Sequence, residues 1–175
     1  MDDKIENLLS KMCDKQEEEA YKYADKLAEI GGKEVLDKLI ELVKGDDIEC
    51  VYLAARALAK IEDNQDALEP LLESIHDSKN RHQNGAMVQA LEGFDLSQNF
   101  VDIFRIYLFG NFKASLLAKG YLDFVEFEVT PRVIKKAEKH WNHYLNNSKH
   151  DEGFEVKKAD VEEILSELKA MFEEE

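Results

Sequence analysis

A chain of 175 residues with only two prolines and eight glycines has little punctuation for strands and hairpins, and its Leu, Ala, Glu and Lys content makes an all-α protein the expectation. A formal net charge of −15 disfavours nucleic acid or an anionic membrane as partner over most of the surface and repels acidic substrates. Cys13 and Cys50 have no CxxC spacing, no apolar run reaches bilayer length, and the MDDKIEN start is too acidic for a secretory signal, so a reduced, cytoplasmic protein without disulfide or zinc is expected.

In chain order, Ile5, Leu8, Leu9 and Met12 form a narrow stripe that predicts an N-terminal capping helix over residues 1–14. Tyr21, Ala24, Leu27, Ala28 and Ile30 make the next stripe, closed by Gly31-Gly32. Val35, Leu36, Leu39, Ile40 and Val43 follow, up to Gly45. The clearest stretch runs from Asp46 to Asp77: a helix with Val51, Ala54, Ala55, Leu58 and Ile61 inward, a turn at Glu62-Asp63-Asn64, and a second stripe of Leu68, Leu71, Leu72 and Ile75. Neither helix can bury its stripe alone, and stacked copies of such pairs are the physical logic of a helical solenoid.

Offsets support a repeat. Leu27, Ala28 and Ile30 recur 31 residues later as Leu58, Ala59 and Ile61, and Ile40 recurs as Leu71. A weaker third copy maps Ala57, Leu58 and Ile61 onto Ala90, Leu91 and Phe94 at an offset of 33. The segments YADKLAEIGGKEVLDKLIELVKGDD and AARALAKIEDNQDALEPLLESIHD resemble HEAT-like repeats of the short bacterial and archaeal type. That resemblance implies a right-handed α-α superhelix of about four helical hairpins, over residues 15–146, between N- and C-terminal capping helices in a single domain. One position departs from the pattern. Val51 stands where many such repeats carry a basic residue, which leaves an Asp and Arg ladder between neighbouring repeats without its usual cation.

A third pair is predicted over residues 80–94 and 97–109, and the second of these helices, apolar all round, is expected to be the most buried. A fourth begins near Asn111 with Leu116, Leu117, Gly120, Tyr121 and Phe124 as its apolar residues. FVEFEVT (residues 124–130) alternates as a strand would, yet lacks a pairing partner, so a helix ending near Glu128 is favoured. Thr130 and Pro131 then start a helix carrying Val133, Ile134, Ala137, Trp141, Tyr144 and Leu145. Residues 147–157 read as a linker before a C-terminal capping helix over 158–175, opened by Asp160 and Glu163.

Charge is uneven, with nets of −7, −4, +3 and −7 over residues 1–50, 51–100, 101–150 and 151–175. The positive stretch holds Arg132, Lys135, Lys136, Lys139, His140, His143 and Lys149 against Glu138, with Trp141 and Tyr144 between them. Basic residues interleaved with aromatics serve nucleic-acid binding in other proteins, but the overall charge favours a solvated face, the acidic last helix or an acidic protein as its counterpart. His140 and His143 share a face at metal-ligand spacing without an identifiable third ligand, and His76 and His82 flank a turn. Cys50 lies at a helix start but lacks a base, so it is read as a buried structural thiol. No GxSxG, P-loop, GxGxxG or HExxH occurs, and neither a catalytic residue nor a cofactor or metal site is assigned.

Surface remains. In a HEAT-like array the second helices of the pairs would line the inner curve, and their outward residues would be Asp37, Glu41 and Lys44, then Glu69, Glu73 and His76, then Asp102 and Arg105. The expected function is a non-enzymatic scaffold or adaptor whose concave face takes a protein partner, a basic one by charge. The alternative is an acidic inhibitor or immunity-type protein that neutralises a basic enzyme such as a nuclease. The stripes leave open whether the chain is a monomer or a weak dimer.

Overall fold

Narrow apolar stripes need partners, and in the computed structural model, which describes residues 2–173, neighbouring helices supply them. The described residues form ten α-helices and three single 3-10 turns, with no strand among them, as the composition leads one to expect. They fall into two compact units, the first ending at Asp95 and the second beginning at Leu96.

The first unit contains α1 (Asp2–Met12), α2 (Ala20–Ile30), α3 (Gly32–Val43), α4 (Ile48–Leu58), α5 (Leu68–His76) and the short α6 (Gly85–Ala90). Helices α2, α4 and α6 pack in one layer, α3 packs on α4 and α5, and α1 lies on α2. The small faces predicted for α4 are what allow this: Ala54, Ala55 and Ala57 are fully buried, so helix axes approach closely. Around them sit Leu27, Val35, Leu39, Leu58 and Leu71, each fully covered, and each such side chain stabilises the unit by roughly 1.5–3 kcal/mol. Gly31 and Gly32 hold φ values of +59° and +79°, left-handed backbone that lets α2 turn directly into α3.

Two expectations for this unit need correction. The helix predicted over residues 80–94 is broken into a 3-10 turn at Ser78–Asn80, α6, and a second 3-10 turn at Leu91–Gly93. Asn80 and Asn84 explain the break, since their side-chain amides donate to Ser74 O (2.9 Å) and Ile75 O (3.0 Å) and so close the end of α5 instead of continuing a helix. The expected unpaired cysteines are also overturned. Cys13 and Cys50 are disulfide-bonded, with Cα atoms 4.9 Å apart. The α1–α2 turn brings Cys13 against the first turn of α4, a long-range contact invisible to spacing rules. The bridge withdraws the argument for a reducing compartment that rested on free thiols.

The second unit contains α7 (Phe100–Phe109), α8 (Phe112–Phe124), α9 (Pro131–Asn147) and α10 (Glu152–Glu173). Helix α7 packs on both α8 and α9, and α9 packs on α10. As its all-round apolarity predicts, α7 is largely buried, with Phe100, Ile103, Phe104, Ile106, Tyr107 and Leu108 all covered. Trp141 and Tyr144 are core residues too, stacked on one another at 5.6 Å, with Phe154 of α10 stacked on Tyr144 at 5.9 Å.

Three boundaries or faces differ from the sequence reading. Helix α8 stops at Phe124 rather than near Glu128, and the next residues run extended: the Glu128 N–H donates to Ser97 O (2.8 Å), and Phe127 sets its edge on Phe100 at 5.4 Å. The linker is shorter than residues 147–157, because α10 already starts at Glu152 instead of residue 158. Asp151 caps it by accepting from the Phe154 N–H (2.9 Å), while burial of Phe154 compensates for Gly153 in the first turn. Leu116 and Phe124, among the apolar residues of the fourth pair, are not covered by a neighbouring helix but are 64% and 89% exposed.

Candidate functional site

Side chains that join one repeat to the next come first, because they fix how the helix faces are presented. In the first unit they recur at nearly the repeat period. Glu6 pairs with Lys38, and Tyr52 OH donates to Gln83 O. Asp46 takes Lys79 at 2.5 Å, and Gln65 donates to Asp95 O (2.8 Å) and accepts from the Asp95 N–H (3.2 Å). Asn64 donates to both Leu58 O (2.8 Å) and Gly93 O (3.0 Å). Val51, which displaces the usual basic residue, is buried. The cation comes instead from Arg56, whose guanidinium donates through Nε and Nη2 to both Asp25 oxygens at 2.9 and 3.0 Å. Lys60 adds a third contact to Asp25 at 2.7 Å. One bidentate Asp–Arg contact between neighbouring repeats therefore exists, its cation five positions along from where the resemblance places it.

Hydrogen bonding from Arg56 and Lys60 holds the Asp25 carboxyl down to a pKa of about 2, against a smaller opposing effect of burial. A depressed carboxylate stabilises the fold above its unfolded pKa and loses that contribution as pH falls through the folded value. Replacing Asp25 with Asn is thus expected to cost about 1 kcal/mol at pH 7, allowing for solvent screening of a partly exposed pair. The difference from wild type should shrink between about pH 4 and pH 2, which urea titrations at both ends of that range check directly.

The residues predicted to line the inner curve divide between the two units. Asp37 and Glu41 are exposed on α3, where Lys33 pairs with Asp37 at 3.2 Å and Lys44 with Glu41 at 3.0 Å. Glu69 and Glu73 are exposed on the adjacent α5, and His76 is half-buried at its end. In the second unit Asp102 and Arg105 are half-buried on α7 and lie 3.9 Å from one another. The structure thus sets the first four on the open sides of two packed helices and couples the last two as an ion pair.

On α9, Arg132, Lys135, Lys136 and Lys139 are exposed, as is Lys149 just beyond its end. The helix meets α10 through its one acid instead, Glu138 pairing with Lys169. His143 rests on the Phe109 ring at 5.9 Å. Among the described residues, no group of three or more His, Cys, Asp or Glu side chains is arranged to hold a metal ion. Among the same residues, no helix is long and apolar enough to cross a membrane.

Sequence reasoning missed one polar cluster. Tyr107 OH donates to Asp160 Oδ2 at 2.6 Å, and Lys157 donates to Leu108 O at 3.1 Å with its ammonium 5.5 Å from both the Tyr107 and Tyr144 ring centres. Burial raises the Tyr107 hydroxyl far above the ordinary tyrosine range, reinforced by the Asp160 carboxylate, and burial lowers the Lys157 ammonium. Shifts of this kind mark catalytic sites and structural ties alike. Here the polar groups spend their hydrogen bonds on tying α10 to α7. The only signal in the sequence is the Lys157 to Asp160 spacing, which places both on one face of α10.

A family model for HEAT repeats matches residues 4–92, half of the chain, and so covers the packed pairs of the first unit. Searches of curated proteins and of solved structures return no match. With its helical pairs, contacts between them at close to the repeat period and this family match, the chain belongs to the HEAT-repeat family.

Proposed function

We propose that this protein is a non-enzymatic interaction module, a scaffold or adaptor whose protein partner docks on the outward sides of the second helices of its pairs. HEAT repeats generally serve as protein-interaction scaffolds, which supports the class of function. The single observation that carries the location is the exposure of Asp37, Glu41, Glu69 and Glu73 on the neighbouring helices α3 and α5. Exposed carboxylates on a chain of charge −15 select a basic partner chiefly by steering its approach, so binding should weaken as salt rises.

Changing Glu41, Glu69 and Glu73 together to Lys is expected to reduce capture of that partner at least about 10-fold and to flatten its salt dependence. The helices should persist, because all three positions are exposed and lysine is as good a helix former as glutamate. Affinity capture with wild-type and triple-variant protein, compared by mass spectrometry, reads the result. Recovery of the same partners in the same amounts by both overturns the assignment of this face.

A further inference from the structure

In the second unit, α8 turns small residues inward and large ones outward, the reverse of an ordinary amphipathic helix. Ala114, Ser115 and Ala118 are buried, with Ser115 Oγ donating to Tyr107 O at 2.6 Å. On the opposite side Phe112, Leu116 and Phe124 are 87%, 64% and 89% exposed. With Gly120 they fall at i, i+4, i+8 and i+12, the ridge by which helices pack on one another. Gly120 is an unforced choice inside a helix, since a Cβ there would meet nothing within 4 Å and no positive φ requires glycine. Glycine weakens a helix interior relative to alanine. What it does provide is a notch in an otherwise bulky ridge.

We propose that α8 is a self-association surface and that its occupant is the α8 helix of a second copy, packed antiparallel about a twofold axis. The ridge is complementary to itself in a single register. Where Leu116 of one copy enters the Gly120 notch of the other, Phe112 faces Phe124 and Lys113 faces Asp123, a carboxylate that Lys119 of its own helix holds at 2.6 Å. Each contact occurs twice, as an isologous interface demands. Two phenylalanines and a leucine this exposed offer on the order of 450 Å² of apolar surface per copy, given the 150–250 Å² that an aromatic side chain buries. Both copies together thus approach the roughly 1,000 Å² of a specific interface. Charge does not oppose the contact, because α8 itself holds only Lys113 and Lys119 against Asp123, so the contact avoids the acidic surfaces that repel two copies elsewhere. The inference does not depend on the partner face proposed for α3 and α5.

Sedimentation equilibrium of the full chain tests it. Wild type is expected to dimerise at micromolar concentration, and Leu116→Glu and Gly120→Gln are each expected to weaken the dimer at least about 30-fold, the effect of losing a central anchor. Gly120→Gln guards against misfolding as the cause, because glutamine is the better helix former and its side chain has open space. Lys113→Asp alone should weaken the dimer by about 10-fold through two like-charge contacts, and adding Asp123→Lys with Lys119→Asp, which keeps the pair within the helix, should restore it. A wild-type chain that stays monomeric at about 100 μM, well above the micromolar range expected of even weak specific pairs, overturns the proposal. So does a dimer indifferent to both Leu116→Glu and Gly120→Gln, or a photo-crosslinker at position 116 that captures a different protein rather than a second copy.

Discussion

Reduction of the Cys13–Cys50 bridge is expected to lower the stability of the first unit by about 3–4 kcal/mol, the loop-closure entropy of a cross-link that spans 37 residues. The mechanism acts on the unfolded chain. A closed loop containing α2 and α3 has far fewer open conformations to gain on unfolding than a free one, so its loss shifts the equilibrium without removing a single core contact. In the folded state the bridge joins the end of α1 to the first turn of α4, where Lys15 also approaches Asp47 at 3.7 Å. For a unit of this size the change corresponds to a fall in melting temperature on the order of 15 °C. Circular-dichroism melts with and without reductant, repeated on a Cys13→Ala, Cys50→Ala double variant, measure it. Free thiols in protein purified without reductant, together with a melt that reductant leaves unchanged, would remove the bridge from the description.

Gly93→Ala is expected to cost about 3 kcal/mol, at the upper end of what overpacking does. The added Cβ would stand 2.1 Å from Ala59 O, 2.7 Å from Ala59 C and 2.8 Å from Ala59 Cα, all of them backbone atoms that no rotamer change can move aside. Relief would require α4 and the turn at Leu91–Gly93 to separate, which breaks the double hydrogen bond of Asn64 to Leu58 O and Gly93 O and exposes Leu58 and Leu91. Gly120→Ala is the matched control, with open space at its Cβ, and it should stabilise its helix by up to about 1 kcal/mol. Urea midpoints of the two variants are therefore expected to move in opposite directions. A Gly93→Ala chain that unfolds at the wild-type midpoint would show that the two segments are not in contact.

The helical pairs of the first unit were legible because their information is local. Leu27, Leu58 and Leu71 repeat at fixed spacing, Ala54 and Ala55 advertise close packing, and Gly31-Gly32 marks a corner. Each of these signals lies within a few turns of the residue it governs. The break at Asn80 and Asn84 was harder, since those amides compete with a helix only once the end of α5 is there to receive them. The candidate surface divides the same way: the exposure of Glu69 and Glu73 follows from helical periodicity, while the pairing of Asp102 with Arg105 needs coordinates.

The sequence by itself determined that this protein is helical, that its first half repeats about every 31 residues, and that α7 is buried, because 3.6-residue periodicity and burial of apolar area act along one helix at a time. Only the tertiary structure decided that Cys13 reaches Cys50, that Arg56 rather than residue 51 holds Asp25, and that Leu116 and Phe124 face outward. Those outcomes depend on which surface of a helix meets a neighbour far away in the chain. An apolar stripe states that it should be covered; it does not name what covers it.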